Sequence, residues 1–107
     1  MKLVLNIQDI SLGYLIEENN KYKFFANSKN FDKALKLYPI IKNLDLNSSG
    51  IGIYDKIPYP VSNYLSGTSR EDIVALAKIK KSDSTFEKLY KLAGLDYMHE
   101  LFWISQD

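Results

Sequence analysis

The chain opens with alternating apolar positions, which predict strands. Every second residue from Leu3 to Ile7 is large and apolar, a period of about two that indicates a strand with one buried face. A second apolar run, Tyr14 to Ile16, follows Gly13. A polar turn over residues 17–21 separates it from the aromatic run Tyr22 to Phe25. The pattern predicts a meander of short antiparallel strands.

Helical spacing comes next along the chain. Four apolar residues stand at i, i+3, i+4 and i+7, which is the spacing of one helix face: Phe31, Ala34, Leu35 and Tyr38. Asn30 is a suitable N-cap and Pro39 a suitable stop for one short amphipathic helix.

The middle of the chain carries turn signals rather than a regular period. Residues 47–50 predict a turn, and Ile51 to Tyr54 a short strand. Pro58 and Pro60 exclude a central strand or a helix around them. We therefore expect Asp55 to Ser66 to form an extended, partly exposed loop.

Two further helices are predicted from capping-box spacing. Thr68 and Glu71 form the first box, and Ser84 and Glu87 the second. The first helix is expected to turn Ile73, Leu76 and Ala77 inward, with Val74 as a further candidate. The second has its inward residues at i, i+3, i+4 and i+7: Phe86, Leu89, Tyr90 and Ala93.

The last predicted elements follow this helix. Gly94 stands where a helix C-terminus favours a residue that can adopt positive φ. Leu101 to Ile104 is short and dense in large apolar groups, which favours a closing strand. We expect one domain over residues 1–107 of the α+β class, with a small, strongly bent antiparallel sheet and about three short helices packed against it.

Composition and charge exclude several classes of protein. The chain has 46% hydrophobic and 25% charged residues, which is typical of a packed globular domain. With no Cys, disulfides, Cys-ligated zinc and thiol catalysis are excluded. The N-terminus lacks a signal-peptide pattern, and no window resembles a membrane span. We therefore expect a cytoplasmic protein that does not bind membranes.

Candidate catalytic chemistry is sparse. His99 is the one histidine, next to Glu100, and is interpreted as a polar residue at a strand edge. Gly50 and Gly52 lack the third glycine and the following helix of a phosphate-binding loop. The sequence therefore predicts no enzyme, no catalytic residue, no metal site and no cofactor.

The two C-terminal helices superficially resemble a helix-turn-helix, so DNA binding is the alternative hypothesis. From Arg70 to Lys91 there are six basic and four acidic residues. The second helix carries Lys88 and Lys91 but no Arg, Asn or Gln that could bind base edges. A net charge of +1 supplies no general attraction to nucleic acid either. A solvated helix face is therefore favoured, and we expect no direct nucleic-acid binding.

Aromatic residues are abundant for a domain of this size, with eight Tyr, five Phe and one Trp. Tyr54, Tyr59 and Tyr64 cluster around the proline loop. Tyrosine offers a large contact area with few rotamers and a polar end, as protein interfaces require. These tyrosines either form an interface or pack with their hydroxyls at the surface, and the pattern leaves both open.

The order of these features resembles the N-terminal subdomain of HipA-type serine/threonine kinase toxins. The resemblance begins at Leu12-Gly13-Tyr14-Leu15 and continues through Tyr22 to Phe25. A proline-led loop of the family is similar to a set of residues here: Pro60, Asn63, Tyr64, Leu65, Gly67 and Arg70. The family's closing helix and Gly-x-Asp are similar to a second set: Asp83, Phe86, Leu89 or Tyr90, Gly94 and Asp96.

The resemblance implies a protein-binding function. The subdomain also occurs as a separate small antitoxin in tripartite HipBST systems. There it restrains a HipT-like kinase toxin that modifies an aminoacyl-tRNA synthetase, alongside a HipB-like helix-turn-helix repressor. The chain is therefore expected to bind such a kinase without covalent chemistry, in a complex that also accommodates the HipB-like protein. A DNA-binding or operon-repressor component is the alternative, and a generic adaptor the third possibility.

We expect the partner-binding residues on the loop from Tyr54 to Arg70. Tyr59 lies between two prolines and is predicted to be the central anchor. Tyr54, Asn63 and Tyr64 are expected around it, with Arg70 as a partner for a kinase carboxylate. If Tyr59 is not the anchor, the aromatic tail around Phe102 and Trp103 is the next candidate.

Overall fold

The computed structural model describes residues 1–95 and 101–107, so the predictions for Asp96 and His99 lie outside the described residues. Within these ranges the chain forms five strands, three α-helices and two 3₁₀ helices: β1 (Leu3–Ile7), β2 (Ile10–Glu18), β3 (Lys21–Ala26), α1 (Ser28–Leu37), a first 3₁₀ helix (Pro39–Asn43), β4 (Ile51–Tyr54), a second 3₁₀ helix (Val61–Ser69), α2 (Glu71–Ala77), α3 (Thr85–Ala93) and β5 (Phe102–Gln106). The predicted α+β class is confirmed.

The strands form one antiparallel sheet in the order β4-β3-β2-β1-β5. A two-residue turn joins β2 to β3, and both of its residues, Asn19 and Asn20, have positive φ (54° and 62°). Two positive φ values define a type I′ turn, whose twist matches that of the flanking strands. The predicted closing strand is confirmed as β5, which pairs with β1 at one edge of the sheet.

A bulge interrupts β2 where it pairs with β1. Leu5 pairs with Gly13 and Asn6 with Ser11, so Leu12 is the extra residue. Gly13 has a φ of 138°, and a Cβ there would overlap the carbonyl oxygen of Phe25. Glycine is therefore required at the bulge.

The helices pack on one face of the sheet and enclose the core. Leu3, Leu5, Ile7 and Phe24 project from the strands into this core. Leu12 and Leu15 of β2 and Phe102 and Ile104 of β5 also belong to it. The helices and loops contribute its remaining buried side chains: Phe31, Ala34, Ile41, Leu44, Val61, Tyr64, Phe86 and Leu89. No helix within the described residues is long and apolar enough to cross a membrane.

Helix α1 begins earlier than predicted. Its N-cap is Asn27, whose side-chain oxygen accepts a hydrogen bond from the Asn30 backbone N–H at 3.1 Å, so the prediction of Asn30 was wrong. The apolar stripe begins at Phe31 and therefore misses a first turn made of polar residues. The stop at Pro39 is confirmed, since α1 ends at Leu37 and Pro39 begins the first 3₁₀ helix.

The capping box predicted for α2 does not form. Thr68 lies inside the second 3₁₀ helix, where its hydroxyl donates to the Leu65 carbonyl at 2.7 Å. The N-cap is Arg70, which makes no side-chain capping bond. Leu76 was predicted to point inward but is 68% exposed, because α2 is short and buries mainly Ile73.

Helix α3 has the predicted capping box. Ser84 Oγ accepts from the Glu87 N–H at 3.1 Å, and Glu87 Oε1 accepts from the Ser84 N–H at 3.2 Å. The prediction of positive φ at Gly94 was wrong, since its φ is −76°. Gly94 provides space instead: a Cβ there would lie 2.8 Å from the Gln106 amide nitrogen.

The loop predicted over Asp55 to Ser66 is only partly irregular. Its second half is the 3₁₀ helix, and Pro58, Pro60 and Val61 are buried. Apolar side chains between the prolines and Leu65 turn inward against the core, which the proline signals alone could not show.

Candidate protein-binding surfaces

The predicted binding loop forms one wall of a small groove. The groove has a volume of about 130 Å³ and is lined mainly by apolar side chains: Ile40, Tyr59, Pro60, Asn63, Tyr64, Leu101 and Phe102. Tyr59 and Leu101 are 44% and 40% exposed, so two large apolar groups stand at its rim. We call this feature the Tyr59 groove.

Tyr59 is held by an ordered backbone. The Ser62 N–H donates to the Pro58 carbonyl and the Asn63 N–H to the Pro60 carbonyl, both at 3.1 Å. These bonds lead into the second 3₁₀ helix, and the flanking prolines are buried while Tyr59 is exposed. The Tyr59 ring is thus presented to solvent from a loop whose ordering cost is already met on folding.

Tyr64 does not share this surface. It is 5% exposed and belongs to the hydrophobic core, so its ring forms the inner wall of the Tyr59 groove. The sequence predicted that Tyr64 would lie beside Tyr59 on the exposed binding surface. The structure makes it a supporting residue.

Tyr54 is engaged within the protein. Its hydroxyl donates to the Asp45 carbonyl at 2.9 Å, and its ring lies over Gly52 on the same strand. Burial, with a smaller contribution from the Asp45 carboxylate, raises the pKa of Tyr54 to about 12. The residue fastens the turn before β4 to the sheet edge.

Asn63 and Arg70 are exposed. Asn63 lines the Tyr59 groove, whereas Arg70 lies beyond the second 3₁₀ helix and pairs with Asp72 at 3.3 Å. An exposed ion pair of this kind is worth little, so a partner carboxylate could replace Asp72 at small cost. The structure therefore brings Tyr59, Asn63 and Tyr64 together and leaves Tyr54 and Arg70 outside the groove.

A second surface was missed from the sequence. The sheet face opposite the helices carries apolar side chains on four strands: Val4, Tyr14, Ile16, Phe25, Ile51 and Ile53. None of these residues belongs to the core cluster, and Ile53 is 57% exposed. We call this surface the open sheet face.

The open sheet face has its own internal contacts. Tyr14 stacks on Phe25 with ring centroids 5.0 Å apart, and the Lys2 ammonium lies 4.5 Å from the Tyr14 ring centroid. Lys23 pairs with Glu18 at 2.7 Å, and Lys21 pairs with Asp55. The charged side chains of the open sheet face are therefore largely paired with opposite charges, and the face is apolar rather than strongly charged.

A signal for this face is present in the sequence. The segments Leu3-Val4-Leu5 and Phe24-Phe25 carry apolar residues in succession, where a strand with one solvated face alternates. The strand prediction considered only every second residue of these segments, so it missed the second apolar face.

Both surfaces offer exposed apolar area to a partner. The Tyr59 groove offers aromatic and aliphatic walls with one amide. Among residues 1–95 and 101–107, no three His, Asp or Glu side chains come together as ligands to a metal would. The comparisons with known proteins found no match: no family model, no curated protein and no solved structure matches this chain.

Proposed function

We propose that the chain is a HipS-type antitoxin, which docks on a HipT-like serine/threonine kinase and holds it in an inactive state. The observation that carries the proposal is the exposed Tyr59 at the rim of an apolar groove, within the loop from Tyr54 to Arg70 where its prolines and tyrosines predict the partner-binding residues. The order of the strands and helices also agrees with the order of features on which the resemblance depends. A HipB-like helix-turn-helix protein is the third member of the proposed complex.

Inhibition of this kind needs no chemistry from the chain. A domain that binds only the inactive conformation of a kinase shifts the equilibrium by its difference in affinity for the two states. The Tyr59 ring is large, has few rotamers and is held by an ordered backbone, so little entropy is lost on docking. Its neighbours Leu101 and Asn63 supply apolar area and an amide at the rim.

The first test measures binding of Tyr59→Ala to the HipT-like kinase encoded nearest to the chain's gene. We expect the affinity to fall by about thirtyfold or more, since a central interface anchor contributes about 2 kcal/mol. Isothermal titration calorimetry gives the affinity, and thermal melting shows that the variant is folded. Ile53→Ala is the matched control, because Ile53 is exposed but lies on the open sheet face, away from the groove.

The two variants separate the possible results. Loss of binding for Tyr59→Ala with an unchanged Ile53→Ala supports the Tyr59 groove as the docking site. Loss for Ile53→Ala alone assigns docking to the open sheet face. Wild-type chain that neither binds the kinase nor relieves its toxicity on co-expression contradicts the proposed function.

Salt dependence separates the proposal from the alternative of a DNA-binding component. A protein that neutralises phosphates releases counterions and loses affinity steeply as salt rises. A docking module with a net charge of +1 is expected to bind its kinase almost equally from low to physiological salt. Salt-sensitive binding to operator duplex by the chain alone would favour the DNA-binding hypothesis.

A further inference from the structure

The two edges of the sheet differ in how their backbone groups are used. In an antiparallel sheet, alternate residues of an edge strand point their N–H and C=O groups away from the neighbouring strand. Such unpaired groups are a template for another strand unless the edge is short, charged, bulged or covered.

The β4 edge is largely blocked. Ile51 points its backbone groups outward, but its N–H donates to Asn47 Oδ1 at 3.1 Å and its carbonyl accepts from the Asn47 N–H at 2.9 Å. The turn at Asn47 thereby covers half of a strand that is only four residues long. An incoming strand could pair there only around Ile53.

The β5 edge is open among the described residues. The Gln8 N–H donates to the Leu101 carbonyl at 2.8 Å, and the Asp107 N–H donates to the Lys2 carbonyl at 3.2 Å. These bonds show which backbone N–H and C=O groups point toward β1: those of Leu101, Trp103, Ser105 and Asp107. The backbone groups of Phe102, Ile104 and Gln106 point away from β1. No described residue pairs with the backbone groups of those three.

Strand β5 also lacks the features that protect an edge. It spans Phe102–Gln106 and contains no charged residue and no proline. Its register with β1 runs without a shift over all five residue pairs, so no bulge turns the edge away. A straight, uncharged edge of this length is suited to strand addition.

We infer that β5 pairs with β5 of a second copy of the chain, in antiparallel orientation about a two-fold axis through Ile104. This axis pairs all three residues whose backbone groups point outward. Ile104 pairs with Ile104 of the second copy, and Phe102 and Gln106 of each copy pair with Gln106 and Phe102 of the other. Each pair exchanges two backbone hydrogen bonds. Axes through Phe102, Trp103, Ser105 or Gln106 leave at least one of the three without a partner among the described residues.

The side chains are compatible with this register. Trp103 stands opposite Ser105 of the second copy on the open sheet face, so a large side chain meets a small one. No like charges are brought opposite one another within the paired strands, because the paired residues carry none. The two sheets then join into one, whose uninterrupted face combines both open sheet faces. The inference does not depend on the proposed kinase.

The first experiment compares Gln106→Pro with Gln106→Ala by analytical ultracentrifugation, from about 1 to 500 µM chain. Proline removes the outward N–H of Gln106, so each dimer loses two hydrogen bonds, and we expect the dissociation constant to rise by about tenfold or more. Alanine keeps that N–H. Both variants lose the hydrogen bond from the Gln106 side chain to the Tyr90 carbonyl (2.8 Å), so Gln106→Ala is the matched control.

Circular dichroism and thermal melting keep this comparison interpretable, since each variant must be folded. Wild-type chain that stays monomeric over the whole range overturns the inference, even if the β5 edge is taken by a strand of another protein. Dimers that Gln106→Pro and Gln106→Ala weaken equally also overturn it.

A disulfide experiment tests the register without relying on proline. Because the chain has no Cys, Leu101→Cys and Asp107→Cys each introduce a single thiol. The proposed axis places residue 101 directly opposite residue 107 of the second copy, within disulfide reach. When the two variants are mixed, one of them tagged, and oxidised, we expect the mixed disulfide to dominate over both homodimers. Statistical proportions of the three species overturn the register.

Discussion

At the scale of single residues, the position of the Tyr54 ring explains why residue 52 is a glycine. Both lie on the inward side of β4, and the Tyr54 ring folds back along the strand so that its hydroxyl reaches the Asp45 carbonyl. A Cβ on Gly52 would overlap the Tyr54 hydroxyl. Gly52 is therefore needed for space, and Tyr54 for holding the turn before β4.

We predict that Gly52→Ala lowers the free energy of unfolding by about 1 to 3 kcal/mol, the usual cost of overpacking. Tyr54→Phe should cost about 1 kcal/mol for the lost hydrogen bond. Because Tyr54→Phe also removes the atom nearest the new Cβ, Gly52→Ala should cost less in that background. Urea denaturation of the two single variants and the double variant measures the coupling. Additive effects would contradict the assigned contact.

The ionised side chain of Asp83 makes two contacts in the C-terminal half of the chain. Its carboxylate accepts from the Lys80 backbone N–H at 2.8 Å and pairs with the Lys91 ammonium at 2.5 Å. These two contacts, the backbone bond first, lower the pKa of Asp83. The side chain thereby ties the turn before α3 to the helix itself.

The lowered pKa gives a pH dependence with a definite sign. A carboxyl whose folded pKa lies below its unfolded value of 3.8 stabilises the fold above that pH. Its contribution is lost as pH falls from about 4 through the folded pKa. We predict that Asp83→Asn is less stable than wild type at pH 7 and that the difference shrinks at pH 3.

Urea denaturation at both pH values measures this difference. Asp72→Asn is the control, since Asp72 pairs with Arg70 while both side chains are more than half exposed. An Asp83→Asn deficit that stays constant between pH 7 and pH 3 would show that the carboxylate charge is not the cause.

Among the helices, the two capping boxes show what sequence spacing can and cannot predict. Both have the same spacing, but only Ser84 forms its box. Ser84 follows an irregular turn and is free to cap α3, whereas Thr68 is already hydrogen-bonded inside the 3₁₀ helix. A box depends on the conformation of the preceding residues, which the spacing does not contain.

We predict that Ser84→Ala lowers the free energy of unfolding by about 1 kcal/mol, because the Glu87 N–H loses its partner at the first turn of α3. Thr85→Ala is the neighbouring control, at an exposed position where about 0.5 kcal/mol or less is expected. Thermal denaturation followed by circular dichroism compares the two. Equal destabilisation by both variants would contradict a specific cap.

Strand β1 and helices α1 and α3 were predictable because a regular period repeats over several residues. The candidate site was predictable only in part. Pro58 and Pro60 indicated an ordered, exposed Tyr59, but the burial of Tyr64 and the contact of Tyr54 with Asp45 depend on where the loop folds back on the core. Such long-range contacts leave no local period in a sequence.

At the scale of the whole molecule, the two ends of the chain meet in the sheet. Strand β5 pairs with β1 along its full length, and Phe102 and Ile104 fill the core beneath it. The Trp103 indole N–H also donates to the Gln8 carbonyl at 2.8 Å, at the turn between β1 and β2. Without β5, β1 would become an edge strand over a partly opened core.

We predict that a chain ending at Leu101 does not fold. Losing two buried side chains of this size costs about 2 to 5 kcal/mol each, and the hydrogen bonds to β1 go with them. The sum approaches the 5 to 15 kcal/mol that holds a typical domain together. Deleting Asp107 alone removes an exposed residue and should leave the fold intact. Far-UV circular dichroism and amide NMR spectra distinguish the two.

A peptide tests whether β5 itself is what the truncated chain lacks. Added in excess, residues 101–107 should restore the folded spectrum by pairing with β1. A peptide in which Phe102 and Ile104 are both replaced by Ser should not, because it keeps the backbone bonds but not the buried side chains. A truncated chain that is already folded without the peptide would show that the core does not depend on closure of the sheet.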